Sequence, residues 1–338
     1  MNRMRLVHTD TLSCEPILRR MPNGELLIAA QCGDIREPAP LNRVYVFHSS
    51  DNGDTWSSGS LVWPEDGRAV YLTEVTVIDQ TIRIYLTLHN GHFVDWECRV
   101  VSSQDNGYTW TDEGRAPCFP RYTFLRGQIR LADNTLVMAY QHYPISEAEN
   151  ARLLASGGTY LDANVHEVIT GIMRSEDNGK TWTAYPGTHL SFGAGTNRKW
   201  VWSEPTLCQR KDGTILMLLR VNETGYLWQS ESHDGGRSFS VPVMTDIPNP
   251  SNKPKLLKLN DGRIALIHTP NNRCGMRQRH PLAIWLSSDD GATWPDQRIV
   301  SDFPCCFCYP DGIAEGMHLL FSIEYNRHDI MFVDFDAE

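Results

Sequence analysis

Ser49 to Trp56 reads SSDNGDTW, and the octet returns as SQDNGYTW from Ser103, SEDNGKTW from Ser175, SHDGGRSF from Ser232 and SSDDGATW from Ser287. Constant within the chain are Ser at position 1, Asp at 3, Gly at 5, Thr or Ser at 7 and an aromatic residue at 8. Asn, Asp and Gly tolerate positive φ and cap their own backbone, so D-N-G or D-G-G between apolar runs reads as a tight turn. The Asp carboxylate and the two hydroxyls are expected to bond backbone N–H groups across that turn, with the aromatic ring packed beneath it. An octet of this kind stabilises a loop and carries no chemistry of its own.

Successive octets begin 54, 72, 57 and 55 residues apart, near the ~40–50 residues of one four-stranded propeller blade. A second signal runs in step with them, an apolar strand, a short turn and another apolar strand. It appears as EPILRRMPNGELLIAA, VTVIDQTIRIYLTL, GQIRLADNTLVMAY, PTLCQRKDGTILMLLR, PKLLKLNDGRIALIHT and YPDGIAEGMHLLFSIEY. Six hairpins imply six blades, each hairpin supplying the first two strands and each octet joining the third to the fourth. The sixth blade has no octet and runs to IMFVDFD, so RLVHTDTL at the start is expected to supply its missing strand and close the ring, which leaves no open edge. The expected fold is therefore all-β: one six-bladed β-propeller over 1–338, with four antiparallel strands per blade. ISEAENARLLASGG, 145–158, is the stretch with a helical look, and it accounts for most of the long interval.

Composition narrows the partners. A net charge of −10 with no basic run argues against nucleic acid or an anionic membrane. The opening MNRMRLVHTDTLSCEP has no apolar h-region, and no stretch approaches the ~18 apolar residues of a membrane helix, so the cytoplasm is the expected compartment. Nine cysteines at scattered spacing fit free thiols in a reducing compartment. CCFC at 305–308 has no matching Cys/His pair at a useful distance and reads as a buried strand end. The twelve histidines show no H-x-H or H-E-x-x-H spacing, so neither a metal nor another cofactor is expected.

In a propeller the innermost strand of each blade lines a central channel, and residues at its mouth converge on one pocket. The residue opening the first strand of each hairpin gives Glu15, Glu74, Arg126, Glu204, Lys253 or Lys255, and Tyr309. An ionisable or polar group at that place in all six blades points to a site.

Six blades with repeated S-x-D-x-G-x-T-W resemble the sialidase (neuraminidase) superfamily, whose propellers carry such Asp boxes, and the resemblance spans essentially the whole chain. It implies an exo-acting, retaining glycoside hydrolase with a Tyr nucleophile partnered by a Glu, an Asp acid/base, and three arginines gripping a substrate carboxylate. A neutral phenol, unlike a carboxylate nucleophile, does not repel an anionic sugar. Matched position by position, Tyr309 in CYPDGI resembles the nucleophile and Glu204 in WSEPTL its partner. Arg220, ending TILMLLR, and Arg279, in RHPLAIWLSSDDG, resemble the second and third arginines. The family's first arginine belongs to an R-I-P motif on the first inner strand; here that strand reads CEPIL, with Cys14 in its place and Glu15 after it. Sialidases carry the acid/base on the loop after the first hairpin, here QCGDIREPAPLNR, where Asp34 is the first choice and Glu37 the second. The implied partner is an oligosaccharide or glycoconjugate.

Two other classes fit the same residues. Glu15, Glu74 and Glu204 supply paired carboxylates for hydrolysis of a non-sialic sugar, while Tyr309, Arg279, His142 or His89 suit a uronate lyase, His142 otherwise reading as a hydrogen-bonded pocket residue. A non-catalytic binding propeller would use Trp96, Trp200, Trp202 and Trp228 for stacking, though Trp is also a usual blade-packing residue.

Overall fold

The computed structural model describes residues 2–116, 119–165, 167–191 and 202–338. In the first octet Asp51 Oδ1 accepts the Thr55 N–H at 2.9 Å and the Ser49 hydroxyl at 2.8 Å, while the Thr55 hydroxyl donates to Asp51 Oδ2 at 2.6 Å. Ser49 Oγ in turn accepts the Gly53 N–H at 2.8 Å. The same four bonds recur around Asp105, Asp177, Asp234 and Asp289. One detail departs from expectation: the second hydroxyl donates to the Asp carboxylate that also receives its own backbone N–H, and among the described residues no N–H donates to it.

Each octet joins the third strand of a four-stranded antiparallel sheet to the fourth, as in the first blade, Ser13–Arg20, Leu26–Cys32, Arg43–Ser49 and Ser60–Leu61. The second blade is Ala69–Ile78, Thr81–His89, Glu97–Ser103 and Thr111–Arg115. The third is Thr123–Arg130, Leu136–His142, Glu167–Ser175 and Thr183–Ala184, with Thr188–Ser191 also paired to its third strand. The fourth comprises Ser203–Gln209, Ile215–Val221, Tyr226–Ser232 and Val243–Pro248; the fifth, Lys255–Lys258, Ile264–His268, Leu282–Ser287 and Asp296–Ser301. The sixth is Phe307–Glu315, His318–Tyr325 and Asp329–Asp336, completed by the N-terminal strand Arg3–Thr9. The first strand of every blade touches the first strand of the next, and that of blade six touches that of blade one, so the ring closes as the sequence predicts. In the sixth hairpin the turn falls at Gly316-Met317, between paired Glu315 and His318, not at Asp311-Gly312, which stays inside the inner strand with Asp311 buried. The one α-helix among the described residues is Glu147–Ser156, capped by the Ser146 side chain on Glu149 N–H and by left-handed Gly157.

Burial follows the ring. Ile215–Val221 is buried throughout, as a strand covered on both faces must be, whereas the outermost Val243–Pro248 is largely open. The octets are also joints between blades. A Cβ on Gly53 would meet Phe332 of the preceding blade at 2.2 Å, and one on Gly236 would meet Ile172 at 1.9 Å.

Part-way along the axis charged side chains cross the channel, beside a cavity of about 440 Å³ that all six inner strands line. Arg19, from the first inner strand, donates to Glu74 of blade two and Asp311 of blade six, and Lys255 Nζ of blade five donates to Asp311 at 2.9 Å. Burial alone would raise the Asp311 carboxyl, but Lys255, Arg19 and Lys253 hold it far below the usual carboxylate range.

Two consequences are measurable. Gly236→Ala, with φ at +92° and a blocked Cβ, is expected to lower stability by ~3 kcal/mol or more. Gly24→Ala, at the same φ with nothing within 4 Å of the added Cβ, should cost only about 1–2 kcal/mol by chemical denaturation. Hydrogen bonds from the position-7 residue hold Asp51, Asp177 and Asp289 at about 2, and Asp105 and Asp234 reach the same value although burial opposes it. An unfolded Asp titrates near ~3.9, so this stabilisation is complete above pH ~4 and is lost as pH falls towards 2. Circular dichroism should show a steep acid transition in that window.

Candidate functional site

The octets lie at one end of the blades, and the ionisable side chains converge at the other. Two sources feed this second end: the starts of the inner strands, and the ends of the second strands with the loops that follow. Glu204 sits at the start of an unbroken ladder, opposite Arg220. Four other inner strands are irregular at the mouth or below it. The register shifts between Cys14 and Ile17, Leu72 and Glu74, Arg126 and Gln128, and Cys308 and Asp311. A bulge re-aims a side chain, and Glu15 and Tyr309 adopt positive φ of 49° and 55° there. Both precede proline, which ordinarily favours extended backbone in the residue before it. Such strain persists only where the surroundings hold it.

At the centre the Tyr309 hydroxyl donates to Glu204 Oε1 at 3.2 Å and accepts from Arg220 Nη1 at 3.0 Å. Arg220 Nη1 also donates to Glu204 Oε2 at 2.6 Å. Burial by itself would raise the Glu204 carboxyl, but Arg220 and Arg126 outweigh it and hold it below the usual range. Burial and then Glu204 push the Tyr309 phenol well above its ordinary value. The pair rests as a neutral phenol on a carboxylate. Arg279, in the loop 269–281, donates to Cys308 Sγ at 3.2 Å and Ser251 O at 2.7 Å, with its guanidinium 6.0 Å from the Tyr309 ring centre. Nε of Arg220 and of Arg279 lacks a protein acceptor among the described residues, so the protein does not use up either donor set. The two arginines line a cavity of about 460 Å³ with Trp202, Asn222, Glu223 and Ser251.

Other predicted residues sort by depth. Arg126 is buried beneath the centre, donating to Glu15 Oε2 at 2.7 Å and Tyr71 Oη at 3.0 Å, with Nη2 3.7 Å from Glu204 Oε1. Glu74 lies deeper, held by Arg19 and by the N–H groups of Val75 and Gly127. Lys253 and Lys255 face Asp311 in the channel plug. His142 bonds Thr123 Oγ1 at 3.0 Å on the flank of blade three, and His89 is buried as an acceptor for Gly91 and Phe93 N–H. The structure brings neither histidine to Tyr309. Among the aromatic residues, Trp202 faces the cavity, Trp96 is buried in the core, Trp228 packs against that core, and Trp200 lies outside the described residues.

The loop 33–42 separates the two acid/base candidates. Asp34, the first choice, turns its carboxylate onto the N–H groups of Ile35 at 2.7 Å and Leu41 at 3.3 Å and so shapes the loop. Glu37 is the one directed inward, onto Arg327 and within 3.8 Å of Cys14 Sγ. Asn42 pins the loop by donating to Gly33 O and Arg36 O and accepting Ala39 N–H. Burial pushes the Glu37 carboxyl up to about 7, Arg327 pulling it down and Glu15 pushing it further up.

Sequence reasoning missed Glu324 and Arg327. Glu324 is buried near the end of the second strand of blade six and accepts Glu15 N–H at 3.0 Å; burial and Cys308 push it up to about 8. Arg327 occupies the turn that follows, with φ of 62°, a conformation that turns usually give to Asn or Gly. The proline signal marks neither of them: Glu15-Pro16, Glu204-Pro205, Lys253-Pro254 and Tyr309-Pro310 single out residues of four inner strands already named from the repeat.

Removing Arg126 strands a buried Glu15. Arg126→Met should destabilise by about 3–5 kcal/mol in denaturant titration, and adding Glu15→Gln should recover much of that loss.

A family model for the BNR repeat-like domain matches residues 66–320. A sialidase of Clostridium perfringens is 26% identical over 330 residues, covering 84% of this chain and 79% of that protein. Among solved structures, the Hadza microbial sialidase Hz136 superposes with a TM-score of 0.71 at 17% identity, covering 97% of this chain and 66% of that one. A protein of unknown function from Dyadobacter fermentans gives 0.72 at 14% identity, covering 100% of this chain and 99% of that one.

Proposed function

The chain belongs to the BNR repeat-like family of sialidase-superfamily propellers, and from that premise we propose that it is an exo-acting, retaining glycoside hydrolase that removes a terminal acidic sugar. The observation that carries the proposal is the Tyr309 phenol hydrogen-bonded to Glu204 and Arg220 at 3.2 and 3.0 Å. A binding propeller has no use for a neutral phenol held on a buried carboxylate. Charge supports an anionic substrate. Arg126, Arg220, Arg279 and Arg327 face Glu15, Glu37, Glu204 and Glu324, but burial raises Glu37 to about 7 and Glu324 to about 8. With those two protonated in part, the mouth carries excess positive charge in a protein of net charge −10.

The chemistry follows from the positions. Arg220 and Arg279 hold the sugar carboxylate over the cavity. Tyr309 Oη attacks the anomeric carbon, its proton passing to Glu204, while protonated Glu37 gives its proton to the leaving oxygen as the glycosidic bond breaks. Water then attacks the tyrosyl glycoside, Glu37 accepts a proton from the water, and Glu204 returns its proton to Tyr309. In this reading Asp34 shapes the loop that presents Glu37. We also keep the cytoplasm as the proposed compartment, where a small oligosaccharide is the fitting substrate.

The test is release of 4-methylumbelliferone from the α-sialoside, the α-L-arabinofuranoside and the β-glucuronide. Tyr309→Phe should abolish turnover of the sialoside with an unchanged circular dichroism spectrum; near-normal turnover would overturn the assignment. Cleavage of another sugar alone would point to paired carboxylates acting on that sugar. Because the acid must carry its proton, kcat/KM should fall as pH rises through about 7. Glu37→Gln should remove that limb and cost ~10²–10⁴-fold on a natural oligosaccharide, with a smaller loss on the activated substrate.

A further inference from the structure

Residue 14 is where the resemblance fails, and the structure puts a guanidinium beside it from another blade. The turn 326–328 of blade six is fixed from both sides: Arg327 O accepts the Ser13 N–H at 2.8 Å, and Asn326 N–H donates to Cys306 O at 2.9 Å. Ser13 immediately precedes Cys14, so this anchor seats Arg327 at the entry of the first inner strand. Cys14 is fully buried with Sγ 3.8 Å from Glu37 Oε2, and Arg327 Nη2 donates to that same oxygen. The Arg327 side chain keeps 25% of its surface open against 11% for Glu37, so it is the accessible member of the pair.

We propose that Arg327 supplies the carboxylate contact missing at Cys14 and, by moving from Glu37 to the substrate, causes Glu37 to take up the proton it later donates. This rests on the function proposed above. The groups facing Glu37 are Arg327, which favours its ionised form; Glu15 and Glu324, which oppose it; the buried Cys14 thiol; and the phenols of Tyr71 and Tyr160. When a substrate carboxylate draws on Arg327, Glu37 loses its contacting cation and gains a third like charge nearby. Both changes favour the protonated acid. The proton comes from solvent, Glu37 goes from carboxylate to carboxylic acid, and no other bond changes. Substrate binding thereby arms the acid, whereas in the empty site Arg327 favours its ionised form.

Calorimetry with sialic acid at pH 8, in two buffers of different ionisation enthalpy, counts the protons taken up. At about one pH unit above its value near 7, free Glu37 is mostly ionised, so the wild type should take up between about half and one proton per ligand. Glu37→Gln should bind with that uptake removed, which separates Glu37 from Glu324. Arg327→Ala should bind at least ~10-fold more weakly and lose the uptake. Cys14→Arg combined with Arg327→Ala should restore binding. Wild-type binding with no proton uptake, or unchanged affinity and uptake in Arg327→Ala, overturns this inference while leaving the proposed function standing. Absence of sialic acid binding by the wild type overturns the function and the inference together.

Discussion

Arg19 reaches across the axis of the ring to Glu74 of one neighbouring blade and Asp311 of the other, and the remaining architecture has to accommodate that contact. Six inner strands meet there, and the two carboxylates they carry, Glu74 and Asp311, are each about 1% exposed. A buried carboxylate survives there only if paired and hydrogen-bonded. Glu74 meets the requirement with Arg19 and two backbone N–H groups, and Asp311 with Arg19, Lys255 and Lys253. The plug lies beneath the mouth with its carboxylates buried, so the groups above it, Glu204, Tyr309 and Arg126, rest on a buried, charge-paired floor. Electrostatic interactions there are stronger than they would be in an open channel.

The two ends of the propeller divide the labour according to what each can tolerate. The octet end relies on short, exposed hydrogen bonds repeated five times and on glycines pressed against the preceding blade. The opposite end relies on bulges and positive φ at Glu15 and Tyr309, which cost stability and therefore need a rigid ring to hold them. Regular ladders below the mouth, such as Ile215–Val221 on its neighbours, provide that rigidity.

Legibility in the sequence follows the same division. The octets were readable because everything they do is local: four hydrogen bonds within seven residues, repeated in register. Blade number and ring closure followed from counting. The convergence of Glu204, Arg220, Arg279 and Tyr309 was readable as well, since three stand near strand ends that the repeat locates and Arg279 lies in the loop just before the strand Leu282–Ser287. Reading failed where a residue acts through a contact the repeat does not encode. Asp34 and Glu37 share one loop, and only its fold, with Asp34 on the N–H groups of Ile35 and Leu41 and Asn42 on Gly33 and Arg36, decides which carboxylate turns inward. Glu324 and Arg327 lie in the blade without an octet, and their partners Glu15 and Glu37 are some 300 residues away in the chain. The pairing of ionisable residue with proline was visible in four inner strands, but that two of them, at Glu15 and Tyr309, sit on bulges is not revealed by strand patterns.

Blade six therefore matters beyond closing the ring. It is the blade built from both chain ends, with Arg3–Thr9 paired to Asp329–Asp336. It also delivers Tyr309, Glu324 and Arg327 to the mouth, against Glu15 and Glu37 from blade one. The seam at which the chain meets itself is thus also where the site is assembled. Ser13 N–H on Arg327 O and Glu15 N–H on Glu324 tie that seam at the level of the mouth. Closure of the ring and alignment of the candidate nucleophile with the candidate acid depend on the same few backbone contacts, so a chain that fails to close loses the site with the fold.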